Sequence, residues 1–462
     1  MDHSFLDDLS LDSSRISTSQ SALAGHSTDW GTREEDGVPP DVVVWPISTA
    51  EVSAVLAAAN EHGVPVTPYA AGTSLEGNPV PVEGGISLDL TRMNEVVDVR
   101  PEDLQIDVQP GVLGSEVDDA VAAHGLFFPP LPSSGKISTI GGMLANDASG
   151  MGTVKYGEVR DWTLALEVVL ADGTVLRTGS RAAKTSSGYN LTELFVGSEG
   201  TLGVITEATL ELAGRPEQIW GGRATFETVG DASAAIADAV QSGVDLAKSE
   251  LLDARSVEMV NAHLGTDLPV RPTAFLEFHA NHGIEREVEF CRAIFESHGA
   301  DRFEVEESGP EMDALWEARE EIAHALDPYR EDLSLLAPGD VTVPIGEYAA
   351  LIEFIADLAD ERDLLIPCFG HAGDGNVHYN VMVDRDDPDS VERGKRASDE
   401  IVAHAIDLGG TATGEHGIGL GKQAYLRDEH GASGVETMRT IKRALDPNGI
   451  LNPGKVLPAE EL

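Results

Sequence analysis

The chain has 462 residues, 41% of them hydrophobic, an ordinary folded composition on a length that exceeds one core and calls for two or three domains. Aspartate and glutamate number 80 against 31 lysines and arginines, a formal net charge of −49, which excludes nucleic acid and anionic membrane surfaces as broad partners. Two cysteines, Cys291 and Cys368, exclude a disulfide framework or a cysteine-based metal site and fit a reducing compartment.

The acids are scattered along the chain, so a disordered acidic tail does not account for them. Such a coat suits a salt-rich, halophilic cytosol, where self-repulsion is screened over about 3 Å or less. The first residues carry acids where a signal peptide carries lysines, and no run approaches the roughly 18 apolar residues of a transmembrane helix. A cytoplasmic location is expected, with peripheral attachment at the inner face of the membrane as its variant.

Residues 1–37 form a polar N-terminal extension expected to wrap loosely over the first domain. The run 42–45 predicts a short buried strand. Ser48 and Glu51 make a capping box for a helix that ends at Gly63, and 64–69 predicts the next strand, so the chain opens as an α/β unit. At the end of that strand stand Ala71, Gly72, Thr73, Ser74, Leu75, Gly77 and Asn78, where glycine lets backbone approach a ligand and consecutive amides can form an anion nest. A plain glycine-rich connection fits this stretch equally well. Neither the GxGxxG fingerprint nor a GxxxxGK[ST] loop occurs.

Strands are predicted over 86–90 and 104–108 and a helix over 115–124. A second small-residue region comes next, with Ser138, Gly141, Gly142, Asn146 and Ser149. Two such regions favour a large cofactor over two coincidental loops. An Asp-Gly turn at 172–173 predicts a hairpin between 164–170 and 175–178, and a last strand runs to 212. Beyond Pro216 longer helices at 230–241 and 283–298 alternate with strands such as 273–279, a separate α+β texture. A helix is predicted over 311–326. On it Arg319 stands among Glu317, Glu320 and Glu321, which on spacing alone is a surface ion pair.

His371 and His378 flank a Gly-Asp-Gly-Asn turn that leads into a strand over 377–383. On that strand His378 and Asn380 share a face, and the turn can bring His371 beside them. Glu415, in Gly414-Glu415-His416-Gly417, is a third candidate ligand. Each histidine alone is better read as a strand-edge residue bonded to backbone. Three candidates beside glycines in two runs favour a metal site with an open position. A helix over 436–445 and the double turn through Asn452 to Lys455 finish the chain.

With these runs in hand, the chain resembles the FAD-linked oxidases of the vanillyl-alcohol oxidase (PCMH) type, in the D-2-hydroxyacid dehydrogenase branch that holds cytochrome-linked D-lactate dehydrogenases, the FAD subunit of glycolate oxidase and D-2-hydroxyglutarate dehydrogenases. The runs 68–77, 138–150, 195–203, 370–380, 414–417 and 452–455 occur in the family's order. The resemblance implies an α+β fold: a two-lobed FAD-binding domain over 38–215, an inserted cap domain over 216–415 that holds substrate, and a C-terminal segment, 416–462, that returns to the flavin. It also implies that Ala71 to Asn78 bind the FAD pyrophosphate, that Ser138, Gly141, Gly142, Asn146 and Ser149 line the dinucleotide, that Gly200 and Ile205 lie along its adenine and flavin side, and that Asn452 approaches the ring.

His371, His378 and Glu415 match the family's ligands for a divalent metal, zinc or manganese. Asn380 sits in the site, His416 matches the catalytic base, and Arg319 matches the arginine that pairs with substrate carboxylate. FAD is expected to be non-covalent. The stretch 337–340 lacks the lysine that the hydroxyglutarate branch carries there, so D-lactate is the favoured substrate. Expected partners are a small 2-hydroxyacid and an electron acceptor that is a quinone, a cytochrome or an electron-transfer protein, with a homodimer as the candidate assembly. A glycolate-oxidase-like subunit, a transferase like the alkyl-glycerone-phosphate synthases, and a non-catalytic flavin-binding module are the rivals.

Overall fold

The computed structural model describes residues 3–9, 11–309, 316–317, 319 and 321–458. The chain divides into two compact units. The first comprises Met1–Ser149, Glu158–Arg215 and Glu415–Leu462; the second comprises Gly150–Gly157 and Pro216–Gly414.

The first unit holds two larger sheets and a two-stranded pairing of Leu126–Phe127 with Ala213–Gly214. In the smaller of those two sheets, the strands Ile16–Ser17, Val42–Val44, Ile86–Asp89 and Val66–Tyr69 lie side by side in that order, and the last three run parallel. Val42–Val44 and Ile86–Asp89 are buried along their whole length, as parallel strands covered on both faces should be. The N-terminal extension is not merely wrapped over the unit: Ile16 and Ser17 pair antiparallel with Val44 and Val43. Helix Thr49–His62 forms the crossover. Ser48 caps it by accepting the N–H of Glu51, and Gly63 ends it in the left-handed conformation at φ 64°. Ile450 and Leu451 join the core of this sheet, which ties the end of the chain to its beginning.

The larger sheet orders Val96–Arg100, Gln105–Val108, Val204–Glu211, Thr163–Val169 and Val175–Gly179, all antiparallel, with the predicted Asp-Gly hairpin at its edge. Short helix Ile140–Asn146 packs beside it with Ile140, Met143 and Leu144 buried. That helix occupies a region read from the sequence only as small-residue loop.

The second unit is built on an eight-stranded sheet. Its order is Arg302–Glu307, Gln218–Thr225, Thr273–Ala280, Leu246–Leu252, Cys368–Gly370, Asn376–Val383 and Ser334–Pro338, with Val341–Thr342 also paired to Asn376–Val383. Helices Val229–Gln241, Ile284–Ser297, Tyr348–Arg362 and Pro388–Asp407 accompany it, the last absent from the sequence reading. Residues 311–315, 318 and 320 of the predicted helix over 311–326 lie outside the described residues; Ile322–Ala325 is helical. The C-terminal helix begins earlier than predicted, spanning Leu426–Leu445 with a break at Gly431. Both cysteines are buried and free, and burial pushes the Cys291 thiol up to about 12. No helix among the described residues is long and apolar enough to cross a membrane.

Candidate active site

In the first unit the glycine-rich loop after Val66–Tyr69 is pinned by a residue the sequence reading passed over. Asp29, in the N-terminal extension and 7% exposed, accepts the Ser74 hydroxyl at 2.8 Å, the Gly77 N–H at 2.8 Å and the Thr32 N–H at 2.8 Å. Trp30 and Gly31 donate their N–H groups to the carbonyls of Gly72 and Ser74. Ser74 and the Gly77 amide therefore build the loop itself. Ala71 is exposed and Gly72, Thr73 and Leu75 are half-buried, so the outer edge of the loop is open to a ligand, while Asn78 is buried. Gly72 has φ 66°, and a Cβ there would meet the Tyr69 hydroxyl at 2.4 Å.

Thr73 and Ser138 join the two small-residue regions through their hydroxyls, 3.1 Å apart. On helix Ile140–Asn146 the bulky residues are buried and the half-exposed side carries Gly141, Gly142, Ala145 and Asn146. A helix face stripped of side chains beside an open glycine turn fits a long, flat, phosphorylated group such as a flavin dinucleotide. Gly200 holds φ 69°, and a Cβ there would lie 2.8 Å from the Pro68 ring. Ile205 is buried in the larger sheet.

The same unit contains Glu415 and His416. Ser149 donates its hydroxyl to the Glu415 carboxylate at 2.9 Å, and Asn146 donates to the His416 carbonyl at 3.3 Å. His416 Nδ1 stands 4.0 Å from Glu76, whose carboxylate is also 3.3 Å from the Lys422 ammonium. Next along the chain, Ile418 and Gly419 give their N–H groups to Glu199 at 2.7 and 2.9 Å, and Asn78 gives its amide at 2.6 Å. Burial pushes the Glu199 carboxyl above its usual range, against those three donors and Lys455. Asn452 donates to the carbonyls of Asn78 and Glu199 at 3.0 and 2.7 Å, so its side chain clamps the C-terminal turn onto both loops.

In the second unit His371, His378, Asn380 and Arg319 come together around the central strands. Glycine is required in the turn: at Gly375, φ 92°, a Cβ would meet the Val343 carbonyl at 2.0 Å, and at Gly370 one would meet the Asn376 carbonyl at 2.3 Å. The tight turn brings the His371 and His378 rings to 5.2 Å between centroids, nearly perpendicular. His378 pairs across the sheet with Phe369. Asn380, two residues on, lies on the same face and is 3% exposed.

Both imidazoles have a carboxylate on their Nδ1 side. For His371 it is Glu250, fully buried, at 2.7 Å; for His378 it is Asp340, also fully buried, at 3.7 Å. Asp340 is fixed in turn by the Asn376 amide at 2.7 Å, the Thr413 hydroxyl at 3.0 Å and the Gly414 N–H at 2.8 Å. Arg319, 5% exposed, donates Nε and Nη2 to one oxygen of Glu250 at 2.7 and 2.5 Å, and its guanidinium lies 5.1 Å from the Phe369 ring centroid. Burial alone would raise the Glu250 carboxyl; the charge of Arg319 and the hydrogen bonds from Arg319 and His371 outweigh it and hold the group below its usual range. Arg319 is thus no helix-surface ion pair. The sequence did carry a signal for Glu250, a lone acid inside the apolar strand Leu246–Leu252, since such a residue is seldom buried without a partner.

Residues 215–456 match the family described as FAD linked oxidases, C-terminal domain, and residues 40–179 match the FAD binding domain family. The chain belongs to the FAD-linked oxidases. It is 41% identical over 424 residues to the probable mitochondrial D-lactate dehydrogenase of Danio rerio, covering 91% of this chain and 84% of that one. It is 40% identical over 420 residues to the glycolate oxidase subunit GlcD of Bacillus subtilis (strain 168), covering 90% and 89%. Among solved structures, p-cresol methylhydroxylase superimposes with a TM-score of 0.76 at 18% identity, covering 97% and 95%, which shows the fold: a PCMH-type FAD-binding domain within an α+β oxidase. FAD is accordingly the cofactor of this FAD-linked oxidase. In the first unit, exposed Ala71, half-buried Gly72, Thr73 and Leu75, and the bare side of helix Ile140–Asn146 are the candidate surfaces for it.

Proposed function

We propose that this FAD-linked oxidase dehydrogenates a D-2-hydroxyacid, D-lactate first among them, to the 2-oxoacid, and passes the electrons to a quinone, a cytochrome or an electron-transfer protein. The observation that carries this reading is the buried set on one sheet face, a guanidinium and two imidazoles, joined to the kinship with D-lactate dehydrogenase. A guanidinium offers the paired donors that a carboxylate accepts, and Arg319 would hold the substrate carboxylate with the N–H groups not committed to Glu250. His371 and His378, with Glu415, are the ligands we assign to a divalent metal, zinc or manganese; such an ion would lower the pKa of the bound hydroxyl. His416 would accept the hydroxyl proton, and Asn380 would offer an amide hydrogen bond within the site. FAD supplies the two-electron acceptor; the residues supply orientation and proton handling.

The domain reading that accompanies this is an FAD-binding domain over 38–215, a substrate domain over 216–415 and a C-terminal segment from 416. The kinship with a glycolate oxidase subunit favours glycolate as a second reading, in which partner chains are needed. Dye-linked turnover by the purified single chain tests both. D-lactate turnover exceeding that of L-lactate, glycolate and D-2-hydroxyglutarate is the expected result. His416→Ala is expected to lose roughly 10²–10⁴-fold in kcat with FAD retained. Unchanged kcat in that variant would remove His416 from the chemistry, and turnover only with glycolate and added subunits would favour the second reading.

A further inference from the structure

Glu250 stands outside the sequence motifs and outside the roles assigned above, yet it touches two of the residues that carry them. One of its oxygens accepts from His371 Nδ1 at 2.7 Å, and the other accepts from Arg319 Nε and Nη2 at 2.7 and 2.5 Å. Its carboxylate is fully buried, on a central strand whose neighbours Leu251 and Leu252 are also buried. We infer that Glu250 is a positioning residue: it fixes His371 as the Nδ1–H tautomer, with the lone pair on Nε2, and sets the distance from that nitrogen to the guanidinium that takes the substrate carboxylate. The inference rests on the metal and substrate roles proposed above and deepens them.

The physics is specific to a carboxylate. An ionised Glu250 can only accept, so the hydrogen on His371 must sit on Nδ1, and the nitrogen left to bind a metal is Nε2. A metal-ligating histidine commonly donates its other ring N–H to such a carboxylate, and losing the partner weakens metal binding by roughly 10- to 100-fold. The second oxygen does the same for Arg319, locking a long side chain by two donors to one acceptor. One buried group therefore sets both the ligand and the carboxylate fork. Asp340 sits in the corresponding place beside His378, but at 3.7 Å it is beyond hydrogen-bond reach of that ring.

Glu250→Gln separates this role from mere filling of space. The glutamine keeps the shape and can still accept from Arg319, but its amide would then donate to His371 Nδ1, which forces the hydrogen onto Nε2 and removes the ligand lone pair. The experiment uses FAD-loaded, full-length protein stripped with chelator. Nitrogen NMR of its ¹⁵N-labelled histidines reads the tautomer in the absence of metal, and calorimetric titration with zinc alone reads affinity. The wild type is expected to show His371, assigned by its loss in His371→Ala, protonated at Nδ1. Glu250→Gln is expected to show the opposite tautomer and a zinc affinity lower by roughly 10- to 100-fold, at unchanged FAD content. An Nε2–H tautomer in the wild type, or equal zinc affinity in the two proteins, would overturn the inference. Should the wild type take up no zinc, the metal reading fails by itself, and the wild-type tautomer, which needs neither metal nor variant, still decides the role of Glu250.

Discussion

Asp29 and Glu199 in one unit and Glu250 in the other are all buried carboxylates, yet they are neutralised by different chemistry. Asp29 and Glu199 take their hydrogen bonds from backbone N–H groups, one hydroxyl and one amide, while the Lys455 ammonium acts on both only through its charge. Glu250 accepts from a guanidinium and an imidazole. The first arrangement shapes loops: the carboxylate takes the place of missing backbone partners and holds a glycine-rich turn in place. The second fixes charge and tautomer, so a substitution there should reach the chemistry directly. Loop-holding acids should move cofactor affinity and leave metal binding alone, and the sheet-face acid should do the reverse.

The largest effect expected is on stability at the sheet face. Arg319→Ala leaves the Glu250 charge buried with one partner removed, which should cost about 3–5 kcal/mol, read as the shift in a denaturant midpoint. A loss under about 1 kcal/mol would mean the pair is solvated in solution. Smaller, and confined to the cofactor, is Asp29→Ala. It strands the Ser74 hydroxyl and the N–H groups of Gly77 and Thr32, and should weaken FAD binding by roughly 5- to 150-fold, about 1–3 kcal/mol, with zinc affinity unchanged. Fluorescence titration of the apoprotein with FAD reads this directly, and a fall in zinc affinity instead would collapse the distinction between the two regions.

Lys455 provides a pH test of the C-terminal clamp. Burial lowers its ammonium to about 8 from 10.5, against the pull of Glu199 and Asp29. The folded state therefore releases the proton before the unfolded state does, and between pH 8 and about 10.5 this group makes the fold more stable as pH rises. Melting temperatures of wild type and Lys455→Met across that window should show the wild type gaining on the variant; a constant difference would mean the lysine titrates normally. The smallest effect per site, summed over a surface at −49, is salt dependence. The melting temperature should climb from dilute buffer to molar potassium chloride, and equal stability in both would count against adaptation to a salt-rich cytosol.

The contrast between the two regions also explains how much was legible in the sequence. The hairpin at 172–173, the helix ending at Gly63 and the turn between His371 and His378 are local, each written in residues a few positions apart. The pairing of His371 with Glu250 spans 121 positions, and that of Asn452 with the carbonyl of Asn78 spans 374. No periodicity encodes such contacts. Helix Ile140–Asn146 was hidden for another reason: its two glycines and small residues oppose helix propensity, and burial of Ile140, Met143 and Leu144 overrides it. Asp29 left no trace at all, because an acid in a polar extension looks like every other acid on this chain.

The most direct test of the proposed chemistry is an anaerobic titration of the FAD-loaded protein in high salt with added zinc or manganese, with flavin absorbance recorded as D-lactate, L-lactate, glycolate and D-2-hydroxyglutarate are added in turn. Bleaching by D-lactate, abolished when a chelator is present, is the predicted result. A flavin that stays oxidised with every acid, or that bleaches equally with L-lactate, would contradict it.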